Sequence, residues 1–318
     1  MSAYFDLWRR FGWKMWGSFL VGSLAAAIPM VFLIIVAVFG IIAIGVTSVI
    51  GAGFDPLADP EDMFTALFSS GTIVVAILFF LFFLIASMLT SAFSYAGAAG
   101  VVTEVIQEQR ASIGAYFRYG FRRLFPMLGL TVIMFLLAIL PAIPAIIGVI
   151  FLAIAEGWSV ALGIIFVLLT VLAYIVYGLM VMHAPIILIA ERKGVFASLG
   201  QSFRTFYRRF GQVVLSALIL FGISIVGSVI TLILEWAIAG VNPFDIYAES
   251  DPFRSFLSSI LIFPISVGLQ LIVMFTLAFR YLHIIQPPPT NGGPNPVLDD
   301  PTDSGPDDLQ RPPHPNEH

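Results

Sequence analysis

The stretch ASIGAYFRYGFRRLF, residues 111–125, occurs again in closely similar form as ASLGQSFRTFYRRFG, residues 197–211. Both copies hold an Ala-Ser pair, a Gly, aromatic residues and an Arg-Arg pair at the same spacing. A weaker copy opens the chain and is the first of three along it, because RRFG at residues 9–12 is identical to RRFG at residues 208–211. One unit therefore occurs three times, which predicts an architecture built by internal duplication.

The composition of the chain excludes a soluble domain. Hydrophobic residues make up 59% of its 318 residues and charged residues only 11%, whereas soluble domains carry about 25% charged residues. The absence of cysteine excludes disulfides, thiolate nucleophiles and Cys-ligated metals. Six runs without charge are each longer than the roughly 20 apolar residues that cross a bilayer. These runs cover residues 15–54, 63–103, 124–155, 157–190, 210–234 and 255–279.

Weak points for a helix follow each Arg-Arg pair at a similar distance. Pro29 and Pro141 come about 20 residues after their pairs, which corresponds to a helical rise of roughly 30 Å. Gly227-Ser228 stands at the matching place in the third copy. We therefore predict that the helices break near the far face of the membrane. The long first run is expected to bend at Pro29 and to continue along the outer interface.

Acidic turns separate the two spans of each unit. FDPLAD at residues 54–59 resembles FDIYAE at residues 244–249, and AEGW at residues 155–158 is the shorter equivalent. The sequence predicts an all-α fold, a polytopic transmembrane helical bundle. Its six spans form three repeated hairpins, each preceded by a basic amphipathic interfacial helix. The six-span domain covers residues 1–286, with repeat units at about 1–104, 105–191 and 192–286.

The charge distribution predicts the orientation. Twelve Lys and Arg residues lie on one side of the predicted spans, whereas the opposite loops carry eight acids and the single base Arg254. The positive-inside rule then places both termini in the cytoplasm, in a multi-pass protein of the cell (inner) membrane. Residues 287–318 are rich in Pro and Asp and hold almost no large apolar side chain. They are predicted to form a disordered cytoplasmic tail.

The repeated segment is predicted to be an amphipathic helix in the headgroup plane. In the second copy Ile113, Phe117 and Phe121 share one helix face, and Arg118 and Arg122 share another. Two hypotheses stay open for the arginines. They anchor and orient each hairpin, or they converge beneath the bundle and bind phosphate groups of anionic lipids or of a phosphorylated ligand. The candidate contacts are Arg9, Arg10, Arg118, Arg122, Arg123, Arg204, Arg208 and Arg209.

Few ionisable residues lie within the predicted spans. Glu235 is an acid inside an otherwise apolar helix, and intramembrane acids are candidate functional residues. His183 and His283 follow matching positions in their units, and both are predicted to be interfacial. The sequence holds no HExxH, GxSxG, P-loop or GxGxxG motif. We therefore predict no enzyme activity, no cofactor and no metal site.

Small and hydroxyl-bearing residues recur at helical spacing. Ala92, Ala96 and Gly100 are four residues apart, which predicts close packing of helices in lipid. Another set either lines a polar path or satisfies hydrogen bonds between helices. Its members are Ser224, Ser228 and Thr231 on one helix face, with Gln270, Tyr174 and Tyr177 elsewhere.

A family resemblance is carried by LIAERKGVFASLGQSFRTFYRRFGQVV, residues 188–214. An acid and a Gly follow a span, then a turn of small residues leads into the aromatic and basic helix. In this arrangement the chain resembles a broad group of bacterial and archaeal integral membrane proteins. These are similar to the membrane domain of some glycerophosphodiester phosphodiesterases. The resemblance implies a fold and a membrane location over most of residues 1–286. It does not imply hydrolase activity, because the catalytic barrel and its His-Arg-Gly are absent from these 318 residues.

These observations favour a non-catalytic membrane module with an organising, regulatory or partner-binding role. Its partners are expected to be the lipid bilayer, anionic lipid headgroups and an unidentified membrane protein, but no nucleic acid. The alternative is a carrier or flippase for an anionic lipid or small solute, since internal repeats are common in such folds. Charge pairs across the spans would favour a carrier, and the sequence predicts none.

Overall fold

The computed structural model of the chain describes residues 2–51, 70–154, 157–239 and 252–285. Within these ranges every regular element is a helix and no strand is present. The elements are α1 (Ser2–Gly51), α2 (Ser70–Glu108), α3 (Ala115–Arg122), α4 (Leu124–Leu137), a 3-10 turn (Leu140–Ala142), α5 (Ile143–Ile154), α6 (Gly157–Val181), α7 (Ala184–Ala190), α8 (Val195–Arg208), α9 (Phe210–Ala239), α10 (Pro252–Arg280) and a π-helical turn (Tyr281–Ile285).

Six of these helical segments are long and apolar enough to cross a bilayer, so the chain is a multi-pass membrane protein in contact with lipid. This confirms the predicted all-α class and the six spans. The spans are Ala3–Gly40, Ile73–Glu108, Leu124–Ile154, Gly157–Ala190, Phe210–Ile238 and Phe256–Ile285.

Of the three predicted helix breaks, one is confirmed, one is wrong and one remains a prediction. Pro141 lies in the 3-10 turn between α4 and α5, so a break there is confirmed. The break predicted at Gly227-Ser228 is wrong, because α9 runs through both residues without interruption. A Cβ atom on Gly227 would lie 3.0 Å from Leu269 of α10, so this glycine permits close packing instead. Pro29 lies inside α1, which stays helical to Gly51, and a bend at Pro29 remains a prediction.

The first amphipathic segment is not a separate helix, which corrects the prediction of one interfacial helix before each hairpin. Short helices do precede the third and fifth spans, as α3 and α8. The first copy instead continues directly into α1. Its aromatic residues run along α10: Tyr4 donates or accepts a 3.0 Å hydrogen bond with Thr276, and Trp16 Nε1 donates to the Pro264 carbonyl at 3.1 Å. These contacts hold the segment collinear with the span.

Helix α2 contacts α1, α3, α4, α7 and α10 and lies at their centre. We call these six helices the packed half of the bundle. Every residue from Ala96 to Ile106 is buried. The predicted close packing of Ala92, Ala96 and Gly100 is confirmed, since both alanines are fully buried and Gly100 lies against Tyr119. Small residues thus bring neighbouring backbones together where lipid supplies no hydrophobic driving force.

One end of the bundle gathers the start of α1, the connections around α3 and α8, and the end of α10. Ser18 Oγ donates to the Ile113 carbonyl at 3.2 Å, and Gln107 Nε2 donates to the Ala190 carbonyl at 3.5 Å. We call this the basic end, because the candidate arginines lie there. The predicted acidic turns at residues 54–59 and 244–249, Ala155-Glu156 of the shorter turn at residues 155–158, and the predicted tail at residues 287–318 lie outside the described residues.

Tyr116 joins three helices at the basic end. Its ring is 2% exposed and lies against Gly22 of α1 and Gly97 of α2. Cβ atoms on these glycines would lie 2.3 and 2.6 Å from the ring. Burial raises the pKa of Tyr116, while hydrogen bonds with Ser94 and Ser23 lower it in part. The phenol therefore stays protonated and bonds to both α1 and α2.

We predict that Gly22→Ala destabilises the protein by about 1–3 kcal/mol, because the added methyl overlaps the Tyr116 ring. Gly17→Ala on the same helix is the control, since its Cβ would meet no atom within 4 Å. Thermal unfolding in detergent, followed by circular dichroism, compares the two variants. Equal melting temperatures for both would contradict the close contact between Gly22 and Tyr116.

Candidate functional site

A basic pocket of about 680 Å³ opens at the basic end beside α8. Its charged lining residues are Lys193, Arg204, Arg208 and Arg209. Ile285, at the end of the π-helical turn, forms part of the wall. The pocket therefore concentrates four cationic side chains around one concave space, which is an arrangement suited to an anion.

Helix α8 builds this pocket from two faces. Its buried face carries Ser198, Ser202, Leu199 and Phe206, and Ser202 Oγ donates to the Met180 carbonyl at 2.6 Å. The opposite face presents Arg204 and Arg208, which are four residues apart and lie on one side of the helix.

At Arg209 the backbone leaves the helix, with φ −131°. The Arg209 guanidinium donates to the Ile284 carbonyl at 3.3 Å. This contact closes the pocket between the α8–α9 junction and the last turn of the sixth span.

A polar cluster adjoins the basic pocket through Lys193 and Gln201, which line it. Tyr281 donates to Glu191 at 2.5 Å, and Gln201 Nε2 donates to the two Glu191 carboxylate oxygens at 2.8 and 3.0 Å. Lys193 pairs with Glu191 at 2.7 Å and also bonds to Gln201. The carboxylate of Glu191 thus balances Lys193 and fixes the orientation of Gln201. The net positive charge of the pocket comes from its three arginines.

The structure brings together only part of the predicted arginine set. Arg204, Arg208 and Arg209 share the basic pocket, whereas the other five candidates are not among its lining residues. Arg10 pairs with Asp6 at 3.1 Å on the surface of α1, and Arg118 pairs with Glu104. The lining residues of the pocket therefore all come from residues 193–285. The remaining candidates are Arg9, Arg122 and Arg123, of which Arg123 is the cap residue between α3 and α4.

Glu104, in the last turns of α2, pairs with Arg118 of α3, which lies outside the spans, so this is not a charge pair across the spans. The Glu104 side chain is only 4% exposed in the last turns of α2, and the Arg118 side chain is 56% exposed on α3. Burial lowers the pKa of Arg118, but the Glu104 charge and hydrogen bond raise it, with a net rise. Burial, with the charges of Glu108 and Glu104, raises the pKa of Tyr119.

A sequence signal for this pair does exist. Glu104 precedes the Ala-Ser of the second copy by seven residues, and Glu191 precedes that of the third copy by six. In the structure each of these acids binds a residue of the amphipathic helix that follows it, Arg118 or Gln201.

The two histidines occupy different environments. The interfacial position of His183 remains a prediction; its side chain is fully buried within the bundle, with its ring 5.5 Å from that of Tyr281. Neither of its ring nitrogens has a hydrogen-bond partner among the described residues. His283 is exposed and stacks on Phe279 with 4.4 Å between ring centroids. The short helix α7 begins directly after His183, which draws this side chain into the core.

The predicted polar face of α9 lines a groove of about 470 Å³ between α9 and α10. Glu235 is exposed at this groove, and Gln270 reaches it from α10. The remaining hydroxyl-bearing lining residues are Ser224, Ser228, Thr231 and Ser266.

Tyr174 and Tyr177 are not part of this groove. Tyr174 donates to the Ala138 carbonyl at 3.0 Å, and Tyr177 donates to the Met134 carbonyl. Both therefore join α6 to the end of α4 through hydrogen bonds between helices.

A second polar space of about 350 Å³ lies between α1, α2, α3 and α10, and sequence reasoning missed it. Its signal is the run of Ser and Thr between residues 87 and 94. Among the described residues, no group of three or more His, Asp and Glu side chains lies close enough to hold a metal ion.

We predict that Arg118→Gln destabilises the protein by about 3 kcal/mol, because it leaves the Glu104 carboxylate buried without its partner. Arg10→Gln removes an exposed pair and should cost less than about 1 kcal/mol. Adding Glu104→Gln to Arg118→Gln should restore part of the loss. Thermal unfolding in detergent measures all three, and a double variant no more stable than Arg118→Gln would contradict the assigned pair.

Comparison with protein-family models, with curated proteins and with solved structures found no match. Over its described residues the chain is a multi-pass, all-helical membrane protein with a basic pocket at one end and two polar spaces along its spans.

Proposed function

We propose that this chain is a non-catalytic membrane module whose basic pocket binds the phosphate of an anionic lipid. The observation that carries this proposal is the convergence of Arg204, Arg208 and Arg209 around one space. The guanidinium group is planar and presents a fork of N–H donors that matches phosphate oxygens. A basic residue near an anionic leaflet contributes about 1 kcal/mol to binding.

A lipid fits this pocket better than a free phosphate does. Phe196 and Tyr207 of the same helix are 77% and 72% exposed, and Phe210 follows directly after the pocket. Exposed aromatic side chains beside cationic ones are typical of helices at the boundary between headgroups and acyl chains. The acyl chains of a bound lipid would then lie against these aromatic residues. By the positive-inside rule the basic end faces the cytoplasm, with both termini on that side of the cell membrane.

The resemblance to the membrane domain of glycerophosphodiester phosphodiesterases favours a module that accompanies another protein and is not itself catalytic. In that arrangement a membrane domain accompanies a catalytic one. We propose that this chain likewise organises a separate membrane-associated protein at an anionic patch of bilayer. The polar cluster of Glu191, Gln201 and Tyr281 would keep the pocket rigid, since each member is hydrogen-bonded to another.

We predict that Arg204→Gln, Arg208→Gln and Arg209→Gln together lower the preference for phosphatidylglycerol over phosphatidylcholine by at least about tenfold. The matched control replaces Arg9, Arg10 and Lys14 by Gln, which removes the same number of charges from α1. Native mass spectrometry of the protein with mixed lipids measures the preference. An equal loss in both variants would show a general charge effect and contradict a specific site.

A further arm of this experiment separates the two sources of phosphate. Inorganic phosphate at a millimolar concentration is added to the wild-type protein with bound phosphatidylglycerol. We expect the lipid to stay bound, because its acyl chains add contacts that free phosphate lacks. Displacement of the lipid by inorganic phosphate would identify the pocket as a site for a soluble phosphorylated ligand instead.

A second candidate function, a carrier or flippase for an anionic lipid or small solute, is favoured by the groove between α9 and α10. It combines Glu235 with four hydroxyl side chains and Gln270 along the fifth and sixth spans. Acids at intramembrane positions mark substrate and ion pathways in transporters. The groove therefore supplies the polar lining that a carrier needs.

If the chain is a carrier, Glu235→Gln should slow the movement of fluorescent phosphatidylglycerol across the bilayer of proteoliposomes by about tenfold or more. Glu108→Gln is the control, because Glu108 is an exposed acid at the end of α2 and lies outside the groove. Dithionite quenching of the outer leaflet measures the rate. Equal rates for the wild type and both variants would exclude a role of Glu235 in transport.

A further inference from the structure

We infer that the space between α1, α2, α3 and α10 is a binding site for an uncharged, hydroxyl-bearing headgroup, such as the glycerol or sugar of a neutral lipid. This space, which we call the hydroxyl cavity, has a volume of about 350 Å³. It is separate from the basic pocket, and the inference does not rest on the anionic-lipid proposal. The uncharged lining of this space differs from that of the basic pocket, which carries arginines, and from that of the groove, which carries Glu235.

The hydroxyl groups of α2 lie on the face that turns toward the cavity. Ser87, Thr90, Ser91 and Ser94 line it at successive spacings of three, one and three, and Ser23 faces them from α1. The preceding part of α2, from Ile73 to Ile85, carries exposed apolar side chains. Between Ile73 and Ser94, polar side chains on this helix begin only at Ser87, where the helix lines the cavity.

Close packing of small residues does not explain this arrangement. Small residues in membrane helices usually bring two backbones together and leave no space between them. Here they enclose a volume in the range of small-molecule sites and many times larger than one buried water. Tyr116 closes the end of the cavity nearest the basic end, and its hydroxyl already bonds with Ser23 and Ser94.

The chemistry of the lining selects an uncharged ligand. None of the described residues that line the cavity carries a formal charge. Hydroxyl groups and the amide of Gln270 can each donate and accept hydrogen bonds, which matches the hydroxyls of glycerol or a sugar. Thr90 Oγ1 donates to the Ala86 carbonyl at 3.0 Å and so offers a ligand its acceptor lone pairs only. An ionised phosphate would be buried without a counter-charge at high cost. Phe19 and Met30 add apolar wall for the carbon skeleton.

The cavity lies at mid-depth and is open to the side. Ser23 follows Lys14 by nine residues and Ser91 precedes Glu104 by thirteen, which places them roughly 13 and 20 Å from those charges along their helices. Ser91 and Tyr95 are exposed at its edge. A ligand therefore enters from the surrounding bilayer, as an amphiphile does, and its headgroup reaches Gln270, which also lines the Glu235 groove.

A single introduced cysteine tests this site, because the chain has none of its own. Ser91→Cys is labelled with N-ethylmaleimide in detergent, with and without monoolein, whose headgroup is glycerol. Methyl oleate is the control lipid, since it has the same acyl chain and no hydroxyl. We expect monoolein to slow labelling in a saturable way and methyl oleate to leave the rate unchanged. Ser112→Cys, on the exposed connection between α2 and α3, reports the general reactivity of the reagent.

Two further variants connect protection to the hydroxyls. Ser87→Ala with Thr90→Val, added to Ser91→Cys, should raise the half-protecting concentration of monoolein by about tenfold. The triple arginine variant of the basic pocket should leave it unchanged, so failure of the anionic-lipid proposal would not affect this result. Protection by neither lipid, equal protection by both, or protection that survives loss of the two hydroxyls would each overturn the inference.

Discussion

The contact between the Tyr116 ring and the glycines of two long helices is the interaction on which the packed half of the bundle depends. In a bilayer the lipid is as apolar as the side chains, so helices associate through close van der Waals contact and shared hydrogen bonds. Tyr116 supplies both, since its ring fills the space above Gly22 and Gly97 and its hydroxyl bonds to Ser23 and Ser94. The same ring forms the end wall of the hydroxyl cavity. The Tyr116 side chain therefore contributes both to the packing of the helices and to the wall of the hydroxyl cavity.

Charged side chains at the basic end either join a span to the helix that follows it or line the basic pocket. Glu104 and Glu191 each tie a span to the amphipathic helix that follows, through Arg118 in one case and Gln201 in the other. In the aligned copies Arg118 corresponds to Arg204, yet Arg118 is paired with a buried acid whereas Arg204 lines the basic pocket. Residues at equivalent positions of two similar segments thus have different tertiary contacts.

The parts of the fold that depend on local chemistry could be predicted from sequence. Apolar length determined the six spans, and Pro141 produced a break because proline removes a backbone donor. Gly227 did not break α9, since a helix in lipid cannot exchange its backbone hydrogen bonds for water and Leu269 packs against the glycine.

Features that depend on distant partners escaped prediction. RRFG at residues 9–12 stays helical, whereas the identical RRFG at residues 208–211 contains a helix boundary. The first lies between Tyr4 and Trp16, which both bond to α10. Burial of His183 depends on the short helix α7, which the continuous apolar run concealed. The threefold repeat and the placement of the termini remain predictions, as do the roles of the eight arginines.

The hydrogen bond between Tyr4 and Thr276 joins residues 272 positions apart. Translation proceeds at about 5–20 residues per second, so the partner of Tyr4 leaves the ribosome roughly 15–55 s after Tyr4 itself. During this interval the start of α1 lacks the helix along which its aromatic residues finally lie. The start of α1 is thus synthesised well before the helix against which it packs, and its contacts with α10 form only after the sixth span has been made.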